Sequence, residues 1–254
     1  MKSLSFKQNM YLLCGMGAFA ALAVGFTGYR ALVEENRLFG ESVTLSAAQH
    51  NHGDLDMMHD ALRADVMSAF LAASRSDKEI SRETVLADFK EHAANMRESR
   101  DKNEALPLGD KIREELRASD AAVDRYIADT ETIITLAFTD LSAAQLRQPA
   151  FDASFKLLEE KLGTIGDSLE SAITSQHDAA VEQESYYQNL NLVIILLLTG
   201  AIVGVGYSII RGLLRQLGGD PAYAAEAVNR VANGELEIRV ERDPTASHSL
   251  LAAI

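Results

Sequence analysis

The clearest chemical pattern in the sequence is a row of possible ligand side chains in its first quarter. His52, Asp56 and His59 are spaced at i, i+4 and i+7, and His50 lies close by. On a helix this spacing places two imidazoles and a carboxylate on one face, which can bind a transition metal when a facing helix supplies further ligands. The sequence identifies no such further ligand. We therefore favour an ordinary polar helix face and keep metal sensing by His52, Asp56 and His59 as the alternative.

No catalytic pattern is apparent in the sequence. It contains neither a glycine-rich phosphate-binding loop nor a nucleophile elbow. The single cysteine, Cys14, lies in an apolar block, where it acts as a small apolar filler rather than as a reactive thiol. Disulfides and cysteine metal clusters within one chain are therefore excluded. We expect a protein that is not an enzyme and needs no cofactor.

The composition favours helices and argues against nucleic-acid binding. Trp is absent, only four Pro are present, and helix formers such as Ala, Leu and Glu are abundant, so the soluble parts should be almost entirely helical. The net charge of -13 makes nucleic acid a poor partner, and no basic stripe with interleaved aromatic residues is present. We expect an all-α protein.

Two apolar blocks, at residues 10–29 and 190–210, interrupt a polar sequence. Each matches the roughly 20 residues that a helix needs to cross about 30 Å of hydrocarbon. The first block resembles a signal peptide in its basic start, but it exceeds the roughly 7 to 15 apolar residues of a cleaved signal, and helix-forming sequence continues beyond it. We therefore predict two transmembrane helices, at 10–32 and 190–210.

Basic residues indicate how these two helices are oriented. Lys2 and Lys7 precede the first, whereas Arg211 and Arg215 follow the second, so both basic flanks lie on the same side of the membrane. The positive-inside rule assigns that side to the cytoplasm. Residues 1–9 and 211–254 are then cytoplasmic, and the central domain, 33–189, lies outside. For a Gram-negative cell this predicts an inner-membrane protein with two spans and a periplasmic domain.

The central domain shows apolar residues at helical spacing, as in Leu55, Met58, Leu62 and Val66. Breaks are expected at 74–81, at 105–109 and at 140–150, where Pro149 can begin a helix. Short connections make sequential helices antiparallel, which predicts an up-down-up-down four-helix bundle. The predicted helices cover 33–75, 80–104, 108–140 and 149–189.

After the second apolar block the sequence predicts a short helical module. Gly218 and Gly219 interrupt the helix, Asp220 can cap a new one, and Pro221 can occupy its first turn. Gly234 is expected to end this helix. Apolar positions within it alternate three and four apart, as in a coiled-coil seam: Leu214, Leu217, Pro221, Ala224, Val228 and Val231.

The residues after Gly234 continue the module. Leu236, Ile238 and Val240 alternate as an extended connector does, and another helix is expected to begin at Ser247 or Ser249. The order of these elements resembles that of a HAMP module. It consists of a transmembrane helix, a basic joint, a heptad helix, Ala-x-Gly-Glu-Leu at 232–236, a connector and a second helix.

The amino-acid sequences of three segments resemble those of methyl-accepting chemotaxis proteins. Leu-Gly-Gly-Asp-Pro at 217–221 and Ser-Leu-Leu-Ala-Ala at 249–253 are similar to their HAMP segment, and 57–66 is similar to the first helix of their four-helix ligand-binding domain. The resemblance covers essentially the whole chain. It implies a homodimeric membrane receptor in which a periplasmic ligand displaces the fourth helix and the second span.

In that family a methylated coiled coil and a hairpin follow the HAMP module. The chemotaxis kinase and its adaptor would therefore be contacted only through a C-terminal region beyond residue 254. HAMP modules also precede histidine kinases and diguanylate cyclases, which leaves an enzymatic output as the alternative. A structural membrane anchor without a ligand is a third interpretation.

The resemblance also implies candidate ligand-binding residues, because the family's carboxylate ligands are held by arginines. Tyr126 and Thr130 lie near Arg125 and are expected to add hydroxyl contacts. The three closely spaced arginines of the aspartate-sensing pattern are absent from the first helix, so we expect another organic acid or amino acid. The alternative role for each arginine is a solvated or salt-bridged helix residue. The candidate arginines are Arg63, Arg75, Arg117 and Arg125.

Overall fold

The computed structural model of the chain describes residues 6–74, 80–235 and 249–253. Within these ranges it contains six α-helices and no strand, which confirms the all-α prediction for this part of the chain. The helices are α1 Phe6–Ser74, α2 Arg82–Ala105, α3 Asp110–Thr139, α4 Leu141–Leu217, α5 Pro221–Ala232 and α6 Leu250–Ala253.

The chain forms two compact units. The central unit is Glu34–Glu182, and the terminal unit combines Met1–Val33 with Gln183–Ile254. Helices α1 and α4 each contribute residues to both units, whereas α2 and α3 belong to the central unit alone.

The core of the central unit is built from all four of its helices. Leu62 and Val66 of α1, Met96 of α2, Ile134 of α3 and Leu158 of α4 are completely buried in one hydrophobic cluster. Burial of each such side chain contributes roughly 1.5–3 kcal/mol. The three-and-four spacing seen in the sequence at Leu55, Leu62 and Val66 therefore does identify the inward face of α1.

Local contacts of described residues fix the start of α2 and the connection between α2 and α3. Ser81 caps α2 by accepting a hydrogen bond from the Thr84 backbone N–H at 3.1 Å. Between α2 and α3, Leu108 turns into a second hydrophobic cluster with Ile112 and Leu169. The breaks predicted at 74–81 and 105–109 agree with the described helix ends, although 75–79 lie outside the described residues.

The break between α3 and α4 differs from the prediction. Asp140 is the only residue between the two helices, and its Oδ1 accepts a hydrogen bond from the Ala143 backbone N–H at 3.0 Å. This cap starts α4 at Leu141, so the prediction that Pro149 begins the helix is wrong. Pro149 lies exposed inside α4, where water can bond the Gln145 carbonyl that loses its helical partner.

Helices α1 and α4 are the two that are long and apolar enough to cross a membrane. Each contains an 18-residue window with at most two charged residues, and no residue of either window is buried. In the terminal unit, the Thr27 Oγ1 of α1 lies within hydrogen-bonding distance of the Asn191 Oδ1 of α4. It also lies 3.1 Å from the carbonyl oxygens of Ala23 and Val24 in its own helix.

The segment after α4 begins as the sequence predicts. Gly218 adopts φ +85°, and Asp220 caps α5 by accepting a hydrogen bond from Ala222 N–H at 2.7 Å, with Pro221 in the first turn. Helix α5 ends at Ala232, and Gly234 follows with φ +91°. These predicted start and stop signals are confirmed.

The buried face of α5 differs in part from the predicted seam. Ala224 and Ala227 pack against Leu251 of α6, whereas Val228 remains 38% exposed. Val228 points away because α6 covers the face that carries the two alanines. The predicted connector residues Leu236, Ile238 and Val240, together with Ser247, lie outside the described residues.

Candidate functional site

The centre of the candidate site is His59, a buried histidine on α1. Its ring is 1% exposed and stacks on Phe155 of α4, with ring centroids 4.1 Å apart and planes 12° from parallel. On α3, the Tyr126 ring centroid lies 4.9 Å from that of His59. Three helices of the central unit therefore meet at one imidazole.

Two polar contacts hold the residues of this aromatic cluster together. His59 Nε2 lies 3.1 Å from the Phe155 carbonyl oxygen, and the Tyr126 hydroxyl donates a hydrogen bond of 2.9 Å to the His59 carbonyl oxygen. The first contact requires a proton on Nε2, which places the acceptor lone pair of the neutral ring on Nδ1. These bonds join α1 to α4 and to α3 among buried residues, where breaking either leaves a buried polar group unpaired.

Burial also controls how these groups ionise. It lowers the pKa of His59, an effect only partly offset by the Phe155 carbonyl and by the carboxylates of Asp60, Asp56 and Glu159. His59 is therefore neutral near pH 7. Burial likewise raises the pKa of the Tyr126 phenol, so Tyr126 stays a hydrogen-bond donor.

Arg63, the first candidate for binding a carboxylate, lies at the surface next to this cluster. Its guanidinium carbon is 4.4 Å from the centroid of the Phe155 ring, while the residue itself remains exposed. A guanidinium that rests on an aromatic face keeps its N–H donors at the edge, where a carboxylate can accept two of them. The structure thus brings together Arg63, which the sequence singled out, and His59 through a residue that it did not, Phe155.

The other candidate arginines are not part of this arrangement. Arg125 is exposed and lies 3.6 Å from Asp129 on its own helix, an ion pair of little energetic weight. Arg117 is exposed and forms no ion pair or hydrogen bond with the residues that the structure describes. Arg75 lies outside those residues.

The hydroxyls expected beside Arg125 face the core instead. Tyr126 and Thr130 are both 0% exposed, and Thr130 Oγ1 donates a 2.8 Å hydrogen bond to the Tyr126 carbonyl oxygen. Because α3 turns Arg125 to the solvent and Tyr126 to the interior, these hydroxyls are not available to a ligand held by Arg125. The hydroxyl part of the predicted site is therefore corrected.

The metal alternative at His52, Asp56 and His59 finds no support. Within the described ranges, no three His, Cys, Asp or Glu side chains form a group that could hold a metal ion. His59 is engaged by the Phe155 carbonyl, and His52 is buried against Gly166 of α4. The pattern is instead that of two core-facing imidazoles separated by an exposed Asp56.

One polar pair was missed by the sequence interpretation. Asp65 of α1 is 6% exposed, and its Oδ2 lies 2.8 Å from Nδ1 of His92 on α2. Burial raises the pKa of Asp65, and the hydrogen bond from His92 opposes that effect. The only available signal was that Asp65 stands one residue before the buried Val66; its partner is 27 residues away and could not be identified.

The chain was compared with family models, curated proteins and solved structures, and none of them matches it.

Proposed function

We propose that the chain is the input part of a transmembrane chemoreceptor. It senses a small periplasmic ligand, an organic acid or amino acid, and relays the signal through the second apolar helix and a HAMP segment to a cytoplasmic output that controls chemotaxis. The observation that carries the proposal is helix continuity. Helices α1 and α4 contact each other at His59 and Phe155. In each of them the helix continues without a break from this contact to the apolar block.

The proposed topology follows from charge and hydrophobicity. The two apolar helices cross the inner membrane, with the basic flanks that include Arg211 and Arg215 inside. Residues 33–189 are then periplasmic, and α2, α3 and the outer parts of α1 and α4 make an up-down-up-down four-helix bundle. The shared core of these four helices supports that arrangement.

Arg63 provides the proposed link between ligand and helices. A carboxylate that accepts the N–H donors at the edge of the guanidinium offsets its charge and so weakens its contact with the Phe155 ring, a cation–π interaction of about 0.5–1 kcal/mol at exposed sites. A ligand can shift a two-state equilibrium only by the difference in its binding free energy to the two states. The contact between Arg63 of α1 and Phe155 of α4 supplies such a difference in binding free energy, because it joins the ligand-binding side chain to the other helix.

The proposed receptor is a homodimer whose HAMP segment is completed by the partner. In a single chain α5 buries Ala224 and Ala227 but leaves Val228 exposed. A parallel coiled coil of two subunits would cover an apolar seam position of this kind. Val228 is thus the position at which the partner's helices would pack.

Topology is tested first, with reporter fusions. An alkaline phosphatase fused at Asp120 is expected to be active, and a fluorescent protein fused after Arg230 is expected to fluoresce in the cytoplasm. The reverse pair of results, or a protein that is soluble without detergent, would disprove the proposal.

Signalling is tested in the full chain after Cys14→Ser removes the native thiol. Organic acids and amino acids are screened for a thermal shift, and single cysteines along 192–209 are then cross-linked with and without a binding compound. We expect the cross-linking pattern to change, and we expect Arg63→Ala to abolish the change while Arg117→Ala, a matched control, retains it. Identical patterns with and without a bound compound would contradict the relay.

A further inference from the structure

An acidic groove runs along the central unit between α1 and α4. It encloses about 650 Å³, and its walls include His52 and Asp56 from α1 and Asp167 and Glu170 from α4. The last two residues also border an adjoining hollow of about 500 Å³ that ends at Asp178. We call the two together the acidic groove.

The acidic groove carries negative charge and has no basic residue in its lining. Neither lining contains a Lys or Arg, and the carboxylates of Asp56, Asp167, Glu170 and Asp178 form no ion pair within the described part of the chain. Some surface carboxylates elsewhere in the central unit do have such partners, for example Asp124 with Arg100 at 3.0 Å. The groove is therefore a local concentration of negative potential.

His52 gives the groove a buried hydrogen-bonding group without a partner. The residue is 8% exposed, and its Nδ1 atom is buried and makes no hydrogen bond. Burial lowers the pKa of His52, against the opposing influence of Asp56, so the ring is neutral near pH 7 and has one nitrogen lone pair to offer. In the tautomer that carries this lone pair on Nδ1, the partner is an N–H or O–H donor, which an ammonium group supplies.

Gly163 and Gly166 line the groove on the α4 side, where they expose backbone because they have no side chain. A Cβ at Gly163 would meet nothing within 4 Å, whereas one at Gly166 would come within 3.2 Å of His52 Nε2. The apolar side chains of Leu162 and Ile173 also line the groove. A ligand can thus lie close to the α4 backbone, with apolar contact beneath it and carboxylates along its length.

We propose that the acidic groove binds a linear aliphatic amine with two or more ammonium groups. Asp167, Glu170 and Asp178 lie at i, i+3 and i+11 on α4, so they are about 4.5 and 12 Å apart along the helix axis. That spread suits a cation whose charges are separated by methylene groups, and each ammonium offers three N–H donors. It does not suit a single metal ion, for which the described residues contain no site.

Binding of the amine in the groove does not depend on the proposed receptor function. Only the transmission of a signal from the bound amine depends on that function. Binding is measured by calorimetry on the full chain in nanodiscs of zwitterionic lipid, with 1,4-diaminobutane as the probe. Aminobutane and magnesium chloride at matched ionic strength serve as comparisons. We expect the diamine to bind at least about tenfold more tightly than either, because only the diamine engages separated carboxylates.

Variants locate the binding. Asp167→Asn with Glu170→Gln is expected to weaken diamine binding by at least about tenfold, whereas Asp152→Asn with Glu160→Gln, an equal change of charge elsewhere on α4, leaves it unchanged. Gly163→Leu keeps every charge and fills open space, so it should weaken binding to a similar degree. Circular dichroism verifies that each variant is folded.

Three results would overturn the inference. They are no binding at millimolar diamine, equal binding of magnesium, and full binding by the folded Asp167→Asn and Glu170→Gln variant. If the diamine binds as expected but leaves the cross-linking pattern of the second apolar helix unchanged, the groove assignment is supported and the relay of this ligand's signal fails.

Discussion

The buried histidines should make the stability of the central unit depend on pH. His59 and His52 both have pKa values lowered below 6.5 by burial. As the pH falls below 6.5 the unfolded chain takes up protons that the folded chain does not, so acidification favours unfolding. The stabilising effect of their neutral forms is fully present above pH 6.5 and is lost as the pH falls toward the folded pKa values.

The expected magnitude follows from linkage. As the pH falls below 6.5, each histidine that stays neutral in the fold reduces the stability by about 1.4 kcal/mol per pH unit until the pH reaches its folded pKa, so the two together reduce it by at most about 2.7 kcal/mol per pH unit. Asp65, whose pKa is raised by burial, acts in the opposite direction, because its folded form takes up a proton at higher pH than its unfolded form does. The histidine contribution is therefore isolated by comparing the unmodified protein with a variant that lacks one histidine.

Hydrogen–deuterium exchange of α3 in the full chain, in nanodiscs, measures the opening free energy after correction for the intrinsic exchange rate at each pH. We expect His59→Phe, which keeps an aromatic ring against Phe155, to remove about half of the pH dependence. His177→Phe, at an exposed position on α4, should leave it unchanged. If His59→Phe shows the full slope of the unmodified protein, the assignment of a neutral buried His59 is wrong.

Four further substitutions have defined expected effects in the same exchange assay. Tyr126→Phe removes the hydroxyl bonded to the His59 carbonyl and should destabilise α3 by about 0.5–1.5 kcal/mol. Leu162→Ala, at a fully packed core position, should cost about 2–5 kcal/mol. Pro149→Ala restores a helical hydrogen bond at an exposed site and should stabilise α4 by up to about 3 kcal/mol. Gly218→Ala should increase exchange in α5, because φ is positive and a Cβ would overlap Ser249, whereas Gly212→Ala meets nothing and should not.

Most helix boundaries were predictable because they depend on local chemistry. Ser81 and Asp220 cap helices within a few residues of themselves, and Gly234 marks the end of α5 by its positive φ. Pro149 misled the prediction because proline is accepted both at helix starts and at exposed interior positions, and only the Asp140 cap decides between them.

The candidate site was less predictable because it depends on contacts between distant segments. Arg63 could be selected as a cation on the first helix, but its contact with Phe155 joins residues 92 positions apart. Tyr126 has both an apolar ring and a hydroxyl, so the sequence is compatible with a surface or a core position. The core position is possible because the His59 carbonyl oxygen accepts a hydrogen bond from the hydroxyl. The pairing of Asp65 with His92 likewise required the packed helices.

The contact between Thr27 and Asn191 has a consequence for the size of stimulus that the apolar helices can transmit. The Thr27 hydroxyl has one proton and three acceptors within reach, two in its own helix and one in the other. In the proposed topology both residues lie in hydrocarbon, where a hydrogen bond between helices is worth about 0.6–2 kcal/mol. Sliding one helix past the other requires the proton to return to its own helix and leaves the Asn191 carboxamide oxygen without that donor. In the proposed receptor, the ligand's difference in binding free energy between the two states must therefore offset this bond before the displaced arrangement becomes the more populated one.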